Sequence, residues 1–300
     1  MPVAFGEPCV VPSADTSAQD RSPAPDGHPA IDEAEPSGES AEARTVARTV
    51  AGGPTRPVSA RERRVPRFHA PLLPAAGTTL PLAADAAQHA RVLRVAAGDT
   101  LALFDGTGVE AWATVMGTEP YTVEVGEART YAAGPELVLI QAIPKGSKLD
   151  LIVRMATEIG ATTIVCVETA RTLGGLSASK RERLQRIAAE AARQSGRSAV
   201  PRIEGPCSLA ESVAFIAPDT QRFVFWEGAL TPFAPHGQLE GQGVACVVGA
   251  EGGLSATEVA GLEAQGFAPV GLPLPILRVE TAAPVALGLV AFHQTAHEVV

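Results

Sequence analysis

The sequence lacks the usual features of an exported or metal-binding protein. Its four cysteines, Cys9, Cys166, Cys207 and Cys246, are far apart and form no CxxC pair. This spacing favours neither a disulfide framework nor a zinc site, and it suits a reducing cytoplasm. No apolar run reaches the roughly 18 residues that span a bilayer, and the N-terminus has no basic stretch followed by an apolar one. We therefore expect a cytoplasmic protein that binds no metal ion and no membrane.

Lysine is also scarce, with three lysines against 21 arginines, and the formal net charge is −9. We attribute the arginine bias to a GC-rich coding sequence rather than to phosphate recognition. An acidic total disfavours non-specific, charge-driven binding of nucleic acid, but specific binding depends on a local basic patch. By contrast, 46% of the residues are hydrophobic. That is enough for one large domain or two small ones with buried cores.

The N-terminal part of the chain divides into two regions. Residues 1–64 are rich in Pro, Ser, Ala, Gly and charge, with no sustained hydrophobic period, so we predict a disordered extension. From Val65 onward short strand-like runs appear, and Asp105-Gly106-Thr107-Gly108 has the composition of a hairpin turn between the first two. We predict a small β-barrel over residues 65–132, with strands at Leu101–Phe104, Ala111–Val115 and Tyr121–Val125.

After a predicted hinge at Tyr131–Pro135, strand-like and helix-like segments alternate. Continuous apolar runs predict buried parallel strands, at Leu137–Ala142, Thr163–Val167, Phe223–Trp226 and Val244–Val248. Helical periodicity predicts a helix with one apolar face, formed by Leu149, Ile152, Val153, Ala156 and Ile159, and further helices at about Ala178–Ser195, Ser255–Gln265 and Thr281–His297. Such alternation indicates an α/β domain with a mostly parallel sheet and helices on both faces.

A glycine-rich turn, Gly249-Ala250-Glu251-Gly252-Gly253, follows the last predicted strand. Ser255 and Glu258 stand three residues apart, which is the spacing of a capping box at a helix start. Glycines at the carboxyl end of a parallel strand let a ligand approach the backbone, and a helix N-terminus offers free N–H groups. The alternative is a tight turn that needs a positive φ. The turn matches neither GxGxxG nor a Walker A loop, so it favours neither a dinucleotide nor a triphosphate.

A second unusual segment, Gly271–Thr281, contains Pro273 and Pro275. The prolines remove N–H donors and fix φ, so a central strand cannot continue through them. Four of its residues are nevertheless too apolar for an exposed loop, namely Leu272, Leu274, Ile276 and Leu277. A buried irregular segment must have its backbone groups satisfied, for example by the polar edge of a bound adenine. The alternative is a packed loop before the last helix, with Thr281 as N-cap and Glu280 near the helix dipole.

Together these two segments resemble the paired signatures of the RsmE family, ribosomal RNA methyltransferases of the SPOUT class. The resemblance covers about residues 66–296 and rests on five groups of motifs: Val248–Ser255; Ile276–Ala282; Lys145-Gly146 with Asp150 and Ala156–Gly160; Glu190–Ala192 with Gln194–Arg197 and Pro201; and Pro66–Phe68 with His89, Val92–Arg94 and Gly98-Asp99. The family's usual start resembles Met-Pro-Arg-Phe, and Val65-Pro66-Arg67-Phe68 stands at that place here. We therefore hypothesise that translation starts at Val65.

The resemblance implies both a fold and a reaction. The implied fold is a PUA-like RNA-binding barrel over 65–132 followed by a SPOUT methyltransferase domain over 135–300, an α/β parallel sheet with a C-terminal trefoil knot. Knots are otherwise almost absent from proteins. The implied reaction is methylation of N3 of a specific uridine in 16S rRNA, near the decoding centre of the 30S subunit. S-adenosylmethionine would be the methyl donor, no metal would be needed, and the protein would be a homodimer with composite sites.

Positions that match the family's motifs provide the predicted site. The residues expected to bind the donor are Gly249, Glu251, Gly252, Leu272, Leu274, Ile276, Leu277 and Thr281. Glu251 and Glu280 are the candidates for the base that removes the N3 proton, with helix capping as the alternative for Glu280. Arg278 would stabilise the uracil enolate oxygen or hold an RNA phosphate, unless it forms an ion pair with a neighbouring carboxylate. Further RNA contacts are expected at Arg67, His89, Arg91, Arg94, Arg171 and Arg197.

Two other functions stay open at this stage. One is a non-catalytic RNA-binding or ribosome-assembly factor on the same fold. Departures from the family pattern favour it, at Met155, Ala170, Pro273 and Pro275, whereas the retained Glu251, Arg278, Glu280 and Thr281 argue against it. The other is a SPOUT methyltransferase that acts on a tRNA or on another rRNA site. The barrel and the Gln194–Arg197 motif argue against this second function.

Overall fold

The computed structural model of the chain describes residues 48–50, 65–172, 174–234, 239 and 242–295. These residues form two six-stranded sheets. The predicted disorder of residues 1–64 falls outside the described part of the chain, except for Arg48–Val50, which form a short strand instead of an irregular segment. The hypothesis that translation starts at Val65 stays a prediction.

The N-terminal sheet is mostly antiparallel and confirms the three strands expected from the sequence. Its strand order is β1-β6-β5-β4-β2, with β3 paired to β6, and a helix, α1, lies between β3 and β4. The hairpin turn at Asp105–Gly108 joins antiparallel β4 and β5, and the Asp105 carboxylate accepts hydrogen bonds from the N–H groups of Thr107 and Val109 at 2.7 and 3.0 Å. The elements are β1 (Arg48–Val50), β2 (Arg67–His69), β3 (Thr79–Pro81), α1 (Ala84–Val92), β4 (Thr100–Phe104), β5 (Val109–Thr118) and β6 (Tyr121–Tyr131).

The C-terminal sheet is entirely parallel, which confirms the predicted α/β class. Its strand order is β12-β10-β11-β7-β8-β9. The inner strands β7 and β11 are buried along their whole length, as continuous apolar runs require. The strands are β7 (Leu137–Ala142), β8 (Thr163–Glu168), β9 (Arg202–Ser208), β10 (Gln221–Phe225), β11 (Val244–Val248) and β12 (Ala268–Val270).

Helices cover both faces of this sheet. On one face α2, α3 and α6 bury Leu149, Leu184 and Leu287 in a single apolar cluster, and on the other α5 buries Val259 and Leu262. The helices are α2 (Lys148–Ile159), α3 (Ala178–Ser195), α4 (Leu209–Ser212), α5 (Ala256–Glu263) and α6 (Val279–Thr295). None of the helices described here is both long and apolar enough to cross a membrane.

The strand order brings the two unusual segments to one edge of the sheet. β11 runs into the glycine-rich turn, and β12 runs into the proline-containing segment. Both strands are parallel to β10, so their carboxyl ends lie at the same edge. Crevices at the carboxyl ends of parallel strands are the usual ligand sites of open α/β sheets. The fold therefore predicts a site between these two segments.

Candidate active site

A pocket of about 570 Å³ lies at this edge of the sheet. Its walls include the glycine-rich turn and most of the segment from Gly271 to Val279, so the structure brings together two segments that are about twenty residues apart in sequence. Seven of the eight residues predicted to bind the donor line it: Gly249, Glu251, Gly252, Leu272, Leu274, Ile276 and Leu277. Within the described residues, no group of three or more His, Cys, Asp or Glu side chains is placed to hold a metal ion.

The remaining predicted donor residue, Thr281, is not among the residues that line the pocket. Helix α6 begins at Val279, two residues before Thr281, and the Thr281 N–H donates to the carbonyl oxygen of Arg278 at 2.9 Å. Thr281 is thus an exposed residue inside the first helical turn and not an N-cap. The sequence placed this helix start two residues late because threonine is a common N-cap residue, whereas the helix begins at Val279.

The proline-containing segment is less buried than its apolar composition suggests. Leu274 is 50% exposed and Ile276 is 92% exposed, so the expectation of a fully buried segment is wrong for these two residues. Both side chains line the pocket instead. An apolar or aromatic group bound in the pocket would cover them, as it covers the apolar walls of most small-molecule sites.

The glycine-rich turn is both a tight turn with a positive φ and a turn whose backbone a ligand can approach. Gly253 has a φ of +66°, which a glycine adopts without strain, and its N–H donates to the Ala250 carbonyl oxygen at 2.9 Å. A Cβ atom added at Gly249 would lie 2.9 Å from the backbone carbonyl carbon of Gly253. The predicted capping box is confirmed, since Ser255 and Glu258 each accept a hydrogen bond from the other's backbone N–H at 3.3 and 2.8 Å. The turn is therefore tight, and it presents its backbone to the pocket.

Four charged side chains form a connected row, in which Lys148, Glu251 and Arg278 line the pocket and Glu280 does not. Lys148 Nζ lies 2.9 Å from Glu251 Oε1 and 3.7 Å from Glu280 Oε2, and Glu280 Oε1 lies 3.9 Å from Arg278 Nη1. The backbone N–H of Lys145 also donates to the Glu251 carboxylate, at 3.1 Å. Lys148 was missed by sequence reasoning, although it lies between two motifs of the family resemblance, Lys145-Gly146 and Asp150.

The electrostatics of this row favour the ionised form of Glu251. Partial burial raises the pKa of the Glu251 carboxyl group, but hydrogen bonds from the Lys148 ammonium group and from backbone N–H groups outweigh that effect and leave the pKa below its ordinary value. The same hydrogen bond is the main reason why the pKa of Lys148 is raised. Both groups are thus charged at neutral pH. A carboxylate held in this way is a weak base.

Two further side chains of the pocket were also missed by sequence reasoning, Trp226 and Glu227, which follow β10. The indole Nε1–H of Trp226 donates to the Leu254 carbonyl oxygen at 3.2 Å and so ties the end of β10 to the glycine-rich turn. A Cβ atom added at Gly253 would lie 2.5 Å from a carboxylate oxygen of Glu227. The sequence shows only an apolar strand that ends at these residues, with no sign that they would face the turn.

Arg171, one of the predicted RNA contacts, lies beside the same turn. Its guanidinium group donates a hydrogen bond to the Gly252 carbonyl oxygen. The neighbouring Ala170 N–H donates to Glu258 Oε1 at 2.7 Å, which fastens the loop after β8 to the start of α5. Arg171 is exposed, so a role in RNA binding stays a prediction.

The prediction that Arg67 and Arg197 contact RNA requires a correction, because both residues are buried, at 8% and 4% exposure. Arg67 Nη1 forms an ion pair with Glu110 at 2.9 Å, and its Nη2 donates to the Arg197 carbonyl oxygen at 3.3 Å. The Arg197 guanidinium group donates to the carbonyl oxygens of Thr157 and Ala161. Burial lowers the pKa of Arg197 to about 10. These two arginines join the N-terminal sheet to α2 and α3, and little of either residue is exposed for an RNA contact.

The other three RNA-contact predictions fall on or beside α1. His89 is partly buried, and its Nε2 lies 3.1 Å from Arg193 Nη1 on α3. Arg91 and Arg94 are exposed, with the Arg91 guanidinium carbon 5.7 Å from the centre of the Tyr121 ring. An RNA contact stays a prediction at all three positions, and the structure leaves Arg91 and Arg94 accessible for it.

Comparison with known proteins agrees with this geometry. The chain matches the RNA methyltransferase domain family over residues 132–291. It is 35% identical over 207 residues to the ribosomal RNA small subunit methyltransferase E of Synechocystis sp., covering 66% of this chain and 67% of that protein. It is 28% identical over 235 residues to the protein of the same name from Mycobacterium bovis, covering 74% of this chain and 90% of that one.

Solved structures agree as well. A ribosomal RNA small subunit methyltransferase E from Neisseria gonorrhoeae, bound to S-adenosyl methionine, superposes with a TM-score of 0.69 at 27% identity and covers 76% of this chain and 98% of that one. A protein from Legionella pneumophila in complex with the same cofactor gives a TM-score of 0.68 at 26% identity, with coverages of 76% and 97%. Because the family match spans more than half of the chain and the fold agrees, this protein belongs to the RNA methyltransferase domain family.

Proposed function

We propose that this protein transfers a methyl group from S-adenosylmethionine to N3 of a specific uridine in the 16S rRNA of the small ribosomal subunit. The observation that carries the proposal is that the glycine-rich turn and the proline-containing segment line the same pocket. The names of the relatives support an rRNA substrate, and two structural neighbours contain the donor. A ribosomal substrate is consistent with a cytoplasmic location, which is part of the proposal.

The residues of the pocket fit the chemical groups of S-adenosylmethionine. Gly249 and Gly253 leave the backbone of the turn accessible where a Cβ atom would collide with its neighbours. Leu274 and Ile276 offer uncovered apolar surface for an adenine ring, and Glu227 offers a carboxylate for hydroxyl or amino groups. When bound, S-adenosylmethionine supplies a methyl group on a positively charged sulfur.

Removing the N3 proton of uracil requires a base within hydrogen-bond reach of it. Glu251 already accepts a charge-assisted hydrogen bond of 2.9 Å from Lys148, whereas the cations next to Glu280 lie at 3.7 and 3.9 Å. We therefore assign Glu280 as the stronger candidate base and Glu251 to holding Lys148 and the turn in place. Arg278, whose side chain is 85% exposed, would stabilise the negative charge that develops on the uracil oxygen.

Replacement of Arg278 by alanine is expected to lower kcat roughly 100-fold, because a single donor to a developing oxyanion contributes about that much. The KM for S-adenosylmethionine should change less than about threefold. Initial rates with labelled donor and small subunits measure both constants. Arg181→Ala, which removes an exposed arginine near the start of α3, is the control. A raised KM for RNA with an unchanged kcat would instead show that Arg278 holds a phosphate.

We further propose that residues 65–132 form a PUA-like RNA-binding barrel and that residues 135–300 form a SPOUT domain with a C-terminal knot. Beyond β12, the Gly271 N–H donates to the Thr231 carbonyl oxygen at 2.8 Å, and the Phe233 N–H donates back to Gly271 at 2.9 Å. The chain thus crosses the loop after β10 before it enters α6, which returns to contact β7 and β11. A crystal structure in which this crossing lies outside the loop would contradict the knot.

We also propose that the protein forms a homodimer through α6. This helix exposes Leu289 and Phe292, and a Cβ atom added at Gly288 would meet nothing within 4 Å. Leu289→Asp is expected to convert the dimer to a monomer, because an interface core depends on apolar burial and excludes unpaired charge. Sedimentation velocity measures the change. Leu72→Asp, at an exposed leucine of the N-terminal region, should stay dimeric, and a monomeric wild type would refute the proposal.

The function itself is tested by calorimetric titration of S-adenosylmethionine into the full chain, followed by methylation of small subunits that lack the modification. N3 lies in the pairing edge of uracil, so methylation should stop reverse transcriptase at one position of 16S rRNA. Saturable donor binding and one such stop are the expected results. No binding at millimolar donor by a folded protein would favour a non-catalytic ribosome-assembly factor. Binding with a product in another RNA would favour a different methyltransferase.

A further inference from the structure

A second groove, of about 440 Å³, lies between α2 and α3. None of its lining residues lines the donor pocket. Its charged and polar lining comes from both helices: Arg154 and Glu158 on α2, and Arg183, Arg186, Glu190 and Gln194 on α3. The groove therefore lies between α2 and α3.

One end of the groove is close to the donor pocket. Lys148, the first residue of α2, lines that pocket. Asp150, two residues further along α2, forms an ion pair with Arg183 of the groove. Arg154, the first residue of α2 that lines the groove, is six residues from Lys148, or about 9 Å along the helix axis.

The other end of the groove is close to the barrel. Glu190 and Gln194 are hydrogen-bonded together, and Glu190 forms an ion pair with Arg193. Arg193 in turn contacts His89 of α1 at 3.1 Å. From Arg183 to Gln194 the helix advances about 17 Å, at about 1.5 Å per residue. The groove therefore connects the donor pocket with the N-terminal sheet.

The arginine side chains of the groove are largely free to bind a ligand. Arg154 and Arg186 are exposed, and neither makes a side-chain hydrogen bond or ion pair with any residue that the structure describes. Arg183 is paired with Asp150 but keeps 60% of its side chain exposed. Of the two carboxylates that line the groove, Glu190 is matched by Arg193, which leaves Glu158. Among the described residues, the groove thus presents two unpaired guanidinium groups, those of Arg154 and Arg186, against one unpaired carboxylate, that of Glu158.

We propose that this groove binds backbone phosphates of the RNA substrate and holds the strand between the barrel and the donor pocket. The inference rests on the proposed function, since it names a further binding site for the same substrate. Guanidinium groups bind phosphates through paired, charge-assisted hydrogen bonds. Phosphate contacts set the register and orientation of a nucleic acid without reading its sequence, which is what delivery of one base to a fixed pocket requires.

The composition of the groove favours RNA over a protein segment as its occupant. Ile187 and Ala191 are the apolar residues among those that line it. The buried core of a protein interface is depleted of charged residues and rich in aromatic ones, whereas interfaces with nucleic acid are polar and positively charged. The unpaired Arg154 and Arg186 fit the second description.

The test uses the full chain with Arg154→Gln and Arg186→Gln combined, and isolated fluorescein-labelled 16S rRNA as the probe. Filter binding over a range of salt concentrations measures the affinity and its salt dependence. We expect affinity to fall roughly tenfold, and the slope of log K against log salt to become shallower by between about 1.4 and 1.8, because two phosphate contacts are lost. Calorimetric titration of S-adenosylmethionine should be unchanged, which also shows that the variant is folded.

Arg186→Gln and Arg181→Gln provide a matched pair, since each removes one exposed arginine of α3 and only the first lines the groove. The inference is overturned if Arg186→Gln binds RNA no more weakly than Arg181→Gln. It is also overturned if the double variant changes sedimentation instead of RNA affinity, because the groove would then be a protein interface. A wild type that binds RNA through the groove but binds no donor would refute the proposed function and leave this inference standing.

Discussion

Gly249→Ala is expected to weaken S-adenosylmethionine binding by more than about 100-fold, or roughly 2.8 kcal/mol. The added Cβ atom would lie 2.9 Å from the carbonyl carbon of Gly253 and 3.2 Å from the Leu254 nitrogen. Both neighbours are backbone atoms, so no side-chain rotation can relieve the contact and the turn itself must open. Gly249 lines the pocket, and its carbonyl oxygen accepts a hydrogen bond from the buried Gln141 at 3.2 Å. A shift of this turn therefore displaces the backbone that faces the donor.

Calorimetric titration measures this effect, and far-UV circular dichroism shows whether the variant is folded. Gly261→Ala is the matched control, because a Cβ atom at this position of α5 would meet nothing within 4 Å. It should bind the donor normally and increase stability by about 0.5–1 kcal/mol, since alanine is the better helix former. If Gly249→Ala bound the donor within about threefold of the wild type, the turn would not shape the donor site.

Arg67→Ala is expected to lower the free energy of unfolding by about 3–5 kcal/mol, because it leaves the buried Glu110 carboxylate without its partner. The side chains of Arg67 and Glu110 are 9% and 7% exposed. After the substitution, Glu110 would keep a hydrogen bond of 2.7 Å from the Ser198 hydroxyl group, which cannot neutralise its charge. Removal of the Arg67 guanidinium group also leaves the Arg197 carbonyl oxygen without the donor at 3.3 Å.

Thermal unfolding followed by calorimetry should show a decrease in Tm of roughly 6–20 °C for a loss of this size. Arg181→Ala is the control, since it removes an exposed arginine of α3. Substitutions at exposed positions usually change stability by about 0.5 kcal/mol or less. A variant Arg67→Ala as stable as this control, but weaker in RNA binding, would restore the RNA-contact role that the burial of Arg67 contradicts.

Local sequence signals were sufficient to predict several helices and strands. The bounds of β7, β11 and α3 agree with those expected from the sequence, at Leu137–Ala142, Val244–Val248 and Ala178–Ser195. The capping box of α5 is also as predicted. Each of these depends on residues close together in the chain, through burial of a continuous apolar run, helical periodicity or a side chain that caps a nearby N–H group.

Two strands with weak local signals, β9 and β12, were not predicted from the sequence. The three-residue strand β12 contains Pro269, and β9 contains Gly205 and Pro206, so neither has the continuous apolar pattern of its neighbours. Their strand conformation depends on pairing with β10 and β8. Pairing of this kind joins residues distant in sequence, and periodicity within a short window cannot report it.

The sequence by itself determined the α/β class, the parallel sheet and the two segments that form the pocket at its edge. The tertiary structure decided the roles of individual charged residues: Arg67 and Arg197 became buried links between the two sheets, and Lys148 became the centre of the row that joins Glu251 to Glu280. Composition and spacing show that a residue is charged, but its role depends on burial and on the partners that distant parts of the chain bring within about 4 Å. Those distances arise only when the chain is folded.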